Sequence, residues 1–140
     1  MPLTRTISDG KGIFVHIYDL ADLEKTSFVT PDDFNFQVGF AVNDEAKTYQ
    51  PHIHTGLERS IAGTAEFIFI LQGVMDVVFL DEQAEPRGEV SLTAQMAFLQ
   101  LRGGHAISTR PNTRFFELKQ GPYSGHDIDK YAVDLPATES

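Results

Sequence analysis

The stretch Pro51–Gly73, which reads PHIHTGLERSIAGTAEFIFILQG, decides how the rest of the chain is interpreted. Two histidines stand two positions apart at its start, and Glu66 opens an apolar run near its end. In an extended chain alternate side chains share a face, so we expect His52 and His54 to point the same way. Two neighbouring imidazoles provide half of a metal site.

A third histidine extends this pattern further along the chain. His105 follows a glycine turn and opens another short alternation of apolar residues. Imidazole nitrogen and carboxylate oxygen are common ligands of divalent first-row metals. We therefore predict that His52, His54, Glu66 and His105 bind one divalent transition metal ion. Iron, manganese, nickel and zinc are all open, because the order of affinities alone does not choose among them.

The composition is that of one globular domain without disulfide bonds. A length of 140 residues predicts a single domain over residues 1–140, with the metal motif in residues 50–110. The polar residues Pro136–Ser140 are expected to form a loose tail. The chain contains no cysteine, so any metal must be held by nitrogen and oxygen ligands.

The chain is acidic, with a formal net charge of −9 at pH 7. This charge argues against nucleic acid and anionic membranes as partners, since both attract positively charged surfaces. The N-terminus lacks the apolar core of a signal peptide, and no apolar run is long enough to span a membrane. We therefore expect a cytoplasmic protein whose partner is a small-molecule ligand.

Apolar alternation and turn residues divide the chain into about nine short strands. The predicted strands are Gly12–Tyr18, Asn35–Val42, Tyr49–His54, Glu66–Leu71, Met75–Leu80, Glu89–Leu92, Met96–Leu101, His105–Thr109 and Arg114–Lys119. Gln72 and Gly73 are expected to form a hairpin turn. One helical turn is predicted near Leu20–Glu24, and a helix start at Thr30–Asp33. So many strands and so little helix predict an all-β sandwich or barrel.

The strand that follows Glu66 is apolar on both faces. Phe67–Leu71 contains no polar residue, so both of its faces must be covered. The cover is either a second sheet together with additional elements, or another subunit. The second alternative leads us to expect a homodimer.

The spacing of these residues resembles the two-motif signature of the cupin superfamily. A His-x-His pair, a glutamate, a glycine seven positions after it and a later histidine occur in that order between Gln50 and Arg110. The resemblance implies a cupin-type double-stranded β-helix, or jelly-roll barrel, with the metal ligands inside it.

Two features depart from the usual cupin pattern. Cupins usually place three or four residues between the second histidine and the glutamate, whereas eleven separate His54 from Glu66 here. Glu58 stands at the usual distance, but it lies in loop-like sequence and has no glycine seven positions later. We therefore prefer Glu66 to Glu58 as the ligand. The proline that usually precedes the later glycine turn is also missing before Gly103.

The stretch Phe116–Tyr123, which reads FELKQGPY, narrows the resemblance to a subgroup of small single-domain cupin metalloproteins. Members of that subgroup often accompany genes for O-antigen, surface-polysaccharide or nucleotide-sugar biosynthesis. The resemblance therefore implies a small polar ligand that is carbohydrate-derived or carries a carboxylate.

Three functions fit these residues. The first is a metal-dependent enzyme, an isomerase, epimerase or oxygenase of the cupin type, in which Glu66 or a nearby group moves protons. The second is a non-catalytic metal- or sugar-binding or sensor module. The third is a metal-free, sugar-epimerase-like cupin, although a single catalytic base would need only one imidazole of the His-x-His pair.

Three cations near the predicted site are candidates for substrate binding. Arg59, Arg102 and Lys119 could attract a phosphate or carboxylate group in a chain that is short of positive charge. Guanidinium groups bind such anions through two parallel hydrogen bonds. The alternative is that these cations are solvated and pair with Glu58 or Asp81.

Overall fold

Antiparallel strands make up most of the computed structural model, which describes residues 1–135. In chain order the strands are β1 (Leu3–Asp9), β2 (Gly12–Asp19), β3 (Ser27–Phe28), β4 (Gly39–Phe40), β5 (Glu66–Gln72), β6 (Val74–Leu80), β7 (Pro86–Thr93), β8 (Met96–Gln100), β9 (Gly104–Thr109) and β10 (Arg114–Lys119). A short helix, α1 (His126–Asp129), follows β10. The chain is thus mostly β-structure, as the sequence predicts. The predicted tail Pro136–Ser140 lies outside the described residues.

The strands form two main sheets and one small one. The larger sheet has the order β1-β2-β8-β5-β10, the second has the order β7-β6-β9, and β3 pairs with β4. All of these pairs are antiparallel. Among residues 1–135 there is no helix with the length and apolar character that crossing a membrane requires.

The main hydrophobic core lies between the two larger sheets. Ile68 and Phe98 contribute to it from the five-stranded sheet, and Val77 and Phe79 from the three-stranded sheet. All four are almost completely buried, and the rings of Phe79 and Phe98 meet edge to face at 5.0 Å. Because alternate residues of a strand share a face, positions 66 and 100 lie on the same inner face as Ile68 and Phe98.

A second hydrophobic cluster covers the outer face of the five-stranded sheet. Tyr18, Leu99 and Phe67 belong to it. The covering side chains come from the segment 20–40 and are Leu20, Leu23, Val29, Phe34, Phe36, Val38 and Phe40. Both faces of β5 are therefore largely covered within the chain, by a second sheet and by this segment, although Leu71 is 58% exposed. This cover within one chain explains why β5 is apolar, so the apolar strand alone does not require a second subunit. The homodimer stays a prediction.

Strand β8 contributes to both clusters. Ala97 and Leu99 face the outer cluster, whereas Phe98 faces the main core. Gln100, the last residue of the strand, is also buried, with 3% of its surface exposed. The last four residues of β8 therefore have no position that faces solvent.

The chain crosses from one main sheet to the other at Gly73. The hairpin predicted at Gln72 and Gly73 is wrong, because β5 pairs with β8 and β10 whereas β6 pairs with β7 and β9. The φ of Gly73 is 86°, in the left-handed region that favours glycine. A Cβ at this position would lie 2.5 Å from Oγ1 of Thr113 and 2.7 Å from its Cα. The crossing therefore requires a residue without a side chain.

Several predicted elements differ from the structure. Residues Tyr49–His54, predicted as a strand, lie in an irregular and exposed segment. The predicted strand Asn35–Val42 is reduced to β4. In place of the predicted helix start at Thr30–Asp33 the chain makes a turn, and near Leu20–Glu24 it also forms turns and no helix. Only the side chains of the segment 20–40 are needed to cover the sheet, so its apolar residues need not follow a regular period.

Replacing Gly73 by alanine should destabilise the protein, because the new methyl group meets Thr113 while the backbone keeps a positive φ. We expect the free energy of unfolding to fall by about 1–3 kcal/mol, the usual cost of a strained backbone conformation. Urea denaturation followed by circular dichroism measures this change. Gly10→Ala is the matched control, since a Cβ at Gly10 meets no atom within 4 Å. Equal losses in the two variants would contradict this account of the crossing.

Candidate functional site

Three polar side chains meet where strands of the two main sheets end. Glu66 is the first residue of β5 and pairs in register with Gln100, the last residue of β8. His105 is the second residue of β9 in the opposite sheet. All three positions lie at one end of the main core, where the apolar inner faces of the sheets give way to polar residues.

Glu66 and His105 face each other across this end of the core. Oε2 of Glu66 lies 3.7 Å from Nε2 of His105. The side chains are 18% and 25% exposed, so both are largely shielded from solvent while one side stays accessible. The ring of Phe98 lies 6.2 Å from that of His105, centre to centre, and separates the pair from the core beneath.

Gln100 fixes the orientation of the His105 imidazole. Its amide nitrogen donates to the carbonyl oxygens of Arg102 at 3.0 Å and Gly104 at 2.7 Å. Its amide oxygen therefore faces Nδ1 of His105, at 2.8 Å. Because this oxygen can only accept, Nδ1 must carry the proton and donate it. In the neutral imidazole, Nε2 then presents a lone pair to Glu66.

The carboxylate of Glu66 has an oxygen without a partner. Oε2 is buried and makes no hydrogen bond with any group in residues 1–135. Burial raises the pKa of Glu66 above its ordinary value; the positive charges of protonated His105, Lys119 and Lys130 oppose this rise, and Glu117 adds to it. A buried, unpaired carboxylate is costly, so Oε2 favours either a proton or a neighbouring positive charge.

The donor set fits a divalent metal ion. An ionised carboxylate and a neutral imidazole that donates through Nδ1 are two acceptors, and they cannot hydrogen bond to each other. Two atoms that each lie roughly 2.0–2.2 Å from one ion can be at most about 4.4 Å apart. The 3.7 Å between Oε2 of Glu66 and Nε2 of His105 falls within this limit. Gln100 supplies the hydrogen bond to the other ring nitrogen that metal-ligating histidines usually have.

The structure does not bring His52 and His54 to this pair. Both histidines are exposed and lie in an irregular part of the chain. Their rings are 5.1 Å apart, and Nδ1 of His52 lies 2.9 Å from the carbonyl oxygen of Gln50. Within residues 1–135 no three His, Cys, Asp or Glu side chains are grouped closely enough to hold a metal ion. The four predicted ligands thus form two separate pairs, and their common metal ion stays a prediction.

The three predicted substrate-binding cations lie in different surroundings. Arg102 donates to both carboxylate oxygens of Asp9 at 2.7 Å and to Glu82 at 2.9 Å, so an incoming anion would have to displace its own acidic partners. Arg59 is exposed in the same irregular segment as His52 and His54. Lys119 is exposed and stands opposite Glu66 in the pairing of β10 with β5. Lys119 is therefore the predicted cation closest to the site in register.

Sequence reasoning missed two residues of this site. Gln100 ends the apolar strand β8 with a polar side chain on its inner face. A polar residue on an inner face is a detectable signal, because such groups need partners when buried. Lys130 contributes positive charge near Glu66, but its position after β10 depends on the path of the chain and has no local signal.

Comparison with known proteins identifies no relative of this chain. No protein-family model, no curated protein and no solved structure matches it.

Replacing Arg102 by leucine should lower the thermal midpoint of unfolding in a pH-dependent way. The hydrogen-bonded guanidinium of Arg102 holds the pKa of Asp9 well below its ordinary value of about 3.9. Stability from this pair is therefore present above that ordinary pKa and is lost as the pH falls below it. We expect a clear difference between wild type and variant at pH 7 and a smaller one at pH 3.

The control for this experiment is Arg110→Leu, since the ion pair of Arg110 with Asp76 is more exposed. It should change the midpoint less at pH 7. A difference between wild type and the Arg102 variant that does not depend on pH would contradict the role assigned to Asp9.

Replacing Glu66 by glutamine should stabilise the metal-free protein at neutral pH, because an amide can donate to Nε2 of His105. We expect a gain of about 1–3 kcal/mol, the cost of an unsatisfied buried group. The raised pKa of Glu66 means that the folded state binds this proton more tightly than the unfolded state. Wild type therefore loses stability as the pH rises above the ordinary glutamate pKa of about 4.3. Urea denaturation in EDTA should show the advantage of the variant at pH 7 and a smaller one at pH 4; a less stable variant at pH 7 would contradict it.

Proposed function

We propose that this protein is a metal-dependent enzyme of the cupin type that acts on a small polar metabolite. Glu66 and His105 hold one divalent transition metal ion, and His52 and His54 complete the ligand set. The observation that carries the proposal is the facing pair of acceptors, Oε2 of Glu66 and Nε2 of His105, at 3.7 Å. Iron, manganese, nickel and zinc all suit these ligands.

The arrangement of the two main sheets supports a jelly-roll barrel as the finer description of the fold. A jelly roll consists of two antiparallel sheets that enclose a core. Here Glu66 comes from one sheet and His105 from the other, and both lie at the same end of the core. Each side chain keeps some exposure to solvent, although Oε2 of Glu66 itself is buried.

The chemistry of the site follows from its own residues. A bound divalent ion supplies a Lewis acid that polarises a carbonyl or hydroxyl group or lowers the pKa of a bound water. Gln100 holds the imidazole of His105 in one tautomer and one orientation. With Oε2 of Glu66 facing the ion, the other carboxylate oxygen of Glu66 is the atom that would accept a proton from the metabolite. Isomerisation, epimerisation, hydrolysis and oxidation of the metabolite are all compatible with these roles.

Positive charge beside Glu66 supports a metabolite that carries a carboxylate or a phosphate. Lys119 lies opposite Glu66 on β10, and Lys130 also acts on the carboxylate electrostatically. A cation of this kind attracts an anionic group and orients the molecule that carries it. Carbohydrate-derived acids and phosphorylated sugars are ligands of this description.

A metal-free acid–base enzyme is the second candidate. The observation that favours it is that Glu66 and His105 are together, whereas His52 and His54 are apart from them. In such an enzyme the carboxylate takes a proton from the substrate and the imidazolium returns one. The two candidates differ in whether the purified protein binds an ion.

Metal analysis of the purified protein tests the proposal. After EDTA treatment and reconstitution with Fe²⁺, Mn²⁺, Ni²⁺ or Zn²⁺, mass spectrometry of the elements should find close to one ion per chain with at least one metal. His105→Ala and Glu66→Gln should lose most of this metal. His126→Ala should keep it, since His126 lies in α1 and is exposed.

Gln100→Leu provides a graded test of the same site. It keeps both ligands but removes the hydrogen bond to Nδ1 of His105, so metal affinity should fall by about tenfold to a hundredfold. Stoichiometric metal in His105→Ala would refute the ligand assignment. Wild type that binds none of the four metals would favour the metal-free enzyme, and saturable metabolite binding without turnover would indicate a sensor or binding module.

A further inference from the structure

We propose that residues 22–42 form a pH-sensitive latch, which lies on the five-stranded sheet while His16 is neutral and lifts off when His16 takes up a proton. We name these residues the strap. The strap contains most of the segment that covers the outer face of this sheet and extends it to Val42. The proposal concerns the outer face only, so it does not depend on the metal site proposed for the inner face.

The strap keeps its shape through hydrogen bonds within itself. Its two short strands, β3 and β4, pair with each other, and the amide of Val29 donates to the carbonyl oxygen of Val38 at 3.1 Å. At the end of the strap the amide of Val42 donates to Oγ1 of Thr26 at 3.0 Å. Among residues 1–135 the strap forms no hydrogen bond with the rest of the chain. Apolar contacts therefore hold it on the sheet, and it can lift off as a unit.

One titratable side chain is buried beneath the strap. His16 of β2 is 3% exposed and lies two positions before Tyr18, so the two side chains share the outer face of the sheet. Nδ1 of His16 lies 2.9 Å from the hydroxyl oxygen of Tyr18. The centre of its ring lies 5.0 Å from that of Phe34 in the strap. The imidazole is thus part of an otherwise apolar interface between sheet and strap.

Among residues 1–135 no acidic side chain compensates a charge on His16. In register His16 stands opposite Leu99 of β8 and Thr6 of β1, neither of which titrates. Burial raises the pKa of Tyr18, so its hydroxyl stays neutral. The charged residues of the strap are exposed and form no ion pair with His16; they are Asp22, Glu24, Lys25, Asp32 and Asp33.

The sign of the pH dependence follows from this burial. Burial lowers the pKa of His16 below the ordinary histidine value of about 6.5. His16 therefore binds a proton more weakly under the closed strap than in water. The closed strap has its full stability above pH 6.5 and loses it as the pH falls below that value. Between the two pKa values, each unit of pH shifts the ratio of closed to open strap by up to about tenfold toward the open form.

Two opposing contributions set the position of the latch. The strap covers Tyr18, Phe67 and Leu99 of the sheet, and keeping this apolar surface from water favours the closed form. A charged imidazole in the same interface would lose its hydration without gaining an acidic partner, which is costly. Acid therefore uncovers an apolar surface that the protein hides at neutral pH.

Thiol labelling beneath the strap tests the latch. The chain has no cysteine, so Ala97→Cys introduces a single thiol at a fully buried position of the outer cluster, at the cost of one added atom. Its labelling by dithiodipyridine, corrected for the ionisation of the thiol, reports how often the strap is open. From about pH 8 to about pH 4 the corrected rate should rise by about tenfold or more.

The reference for global unfolding is Val77→Cys, which places the thiol in the main core between the two sheets. Its corrected labelling rate should stay low over the same range, because the sandwich remains folded when only the strap opens. An equal rise at positions 77 and 97 would overturn the proposal, since the whole protein would then be unfolding.

A substitution of His16 identifies the titrating group. In an Ala97→Cys background, His16→Gln removes the proton site and keeps a side chain that can hydrogen bond to Tyr18, so the labelling rate should no longer depend on pH. His126→Gln is the matched control, because His126 is an exposed histidine of α1, and it should behave like the parent. A pH dependence that persists in His16→Gln, or that disappears in His126→Gln, would overturn the proposal.

The wild-type protein decides the matter if a variant fails to fold. Nuclear magnetic resonance should show the ring signals of His16 and of Phe34 changing with one common midpoint, below the ordinary pKa of histidine, while the contact between the two rings is lost. Amides of β6 should keep their protection from hydrogen exchange at that pH. Strap signals that change while His16 stays neutral, or a strap that stays in place after His16 is protonated, would overturn the latch.

Discussion

The contact on which the proposed chemistry depends is the one between Oε2 of Glu66 and Nε2 of His105, which are 3.7 Å apart. Gln100 orients the neutral imidazole so that both facing atoms are acceptors. Its amide nitrogen donates to two carbonyl oxygens, and its amide oxygen accepts the hydrogen bond from Nδ1 of His105. Oε2 is buried and has no hydrogen-bond partner among residues 1–135. Either a proton or a bound cation would satisfy these two acceptors, and the proposed function takes up the second possibility.

The sequence predicted the components of this site better than their assembly. Glu66 and His105 were identified from positions at the starts of apolar strands, and the structure brings them together. Gln100 was missed because the prediction considered only candidate metal ligands and did not ask which buried residue would orient them. His52 and His54 lie close to each other, but the strand predicted for them is irregular in the structure, and alternation does not specify where such a segment lies relative to distant strands.

The same distinction between local and long-range information explains which parts of the fold were predicted correctly. Strands with strong alternation, such as β6, were located to within one or two residues. The crossing at Gly73 was mistaken for a hairpin, because a glycine between two apolar runs looks the same whether the runs pair with each other or with more distant strands. The segment 20–40 gave no regular period, since it contributes side chains to a surface and little backbone to a sheet.

Strand β8 has a consequence for how this chain can change in evolution. Ala97, Phe98, Leu99 and Gln100 are all buried, two of them against the outer cluster and one in the main core. None of these four positions faces solvent, so a larger or smaller side chain would disturb the packing on one side of the sheet or the other. The strand should therefore accept few substitutions. Since Gln100 orients the imidazole from this strand, the orientation of His105 depends on a segment that accepts little change. Substitutions are accommodated more easily in the exposed segment 43–64 and at Lys119 than in this strand.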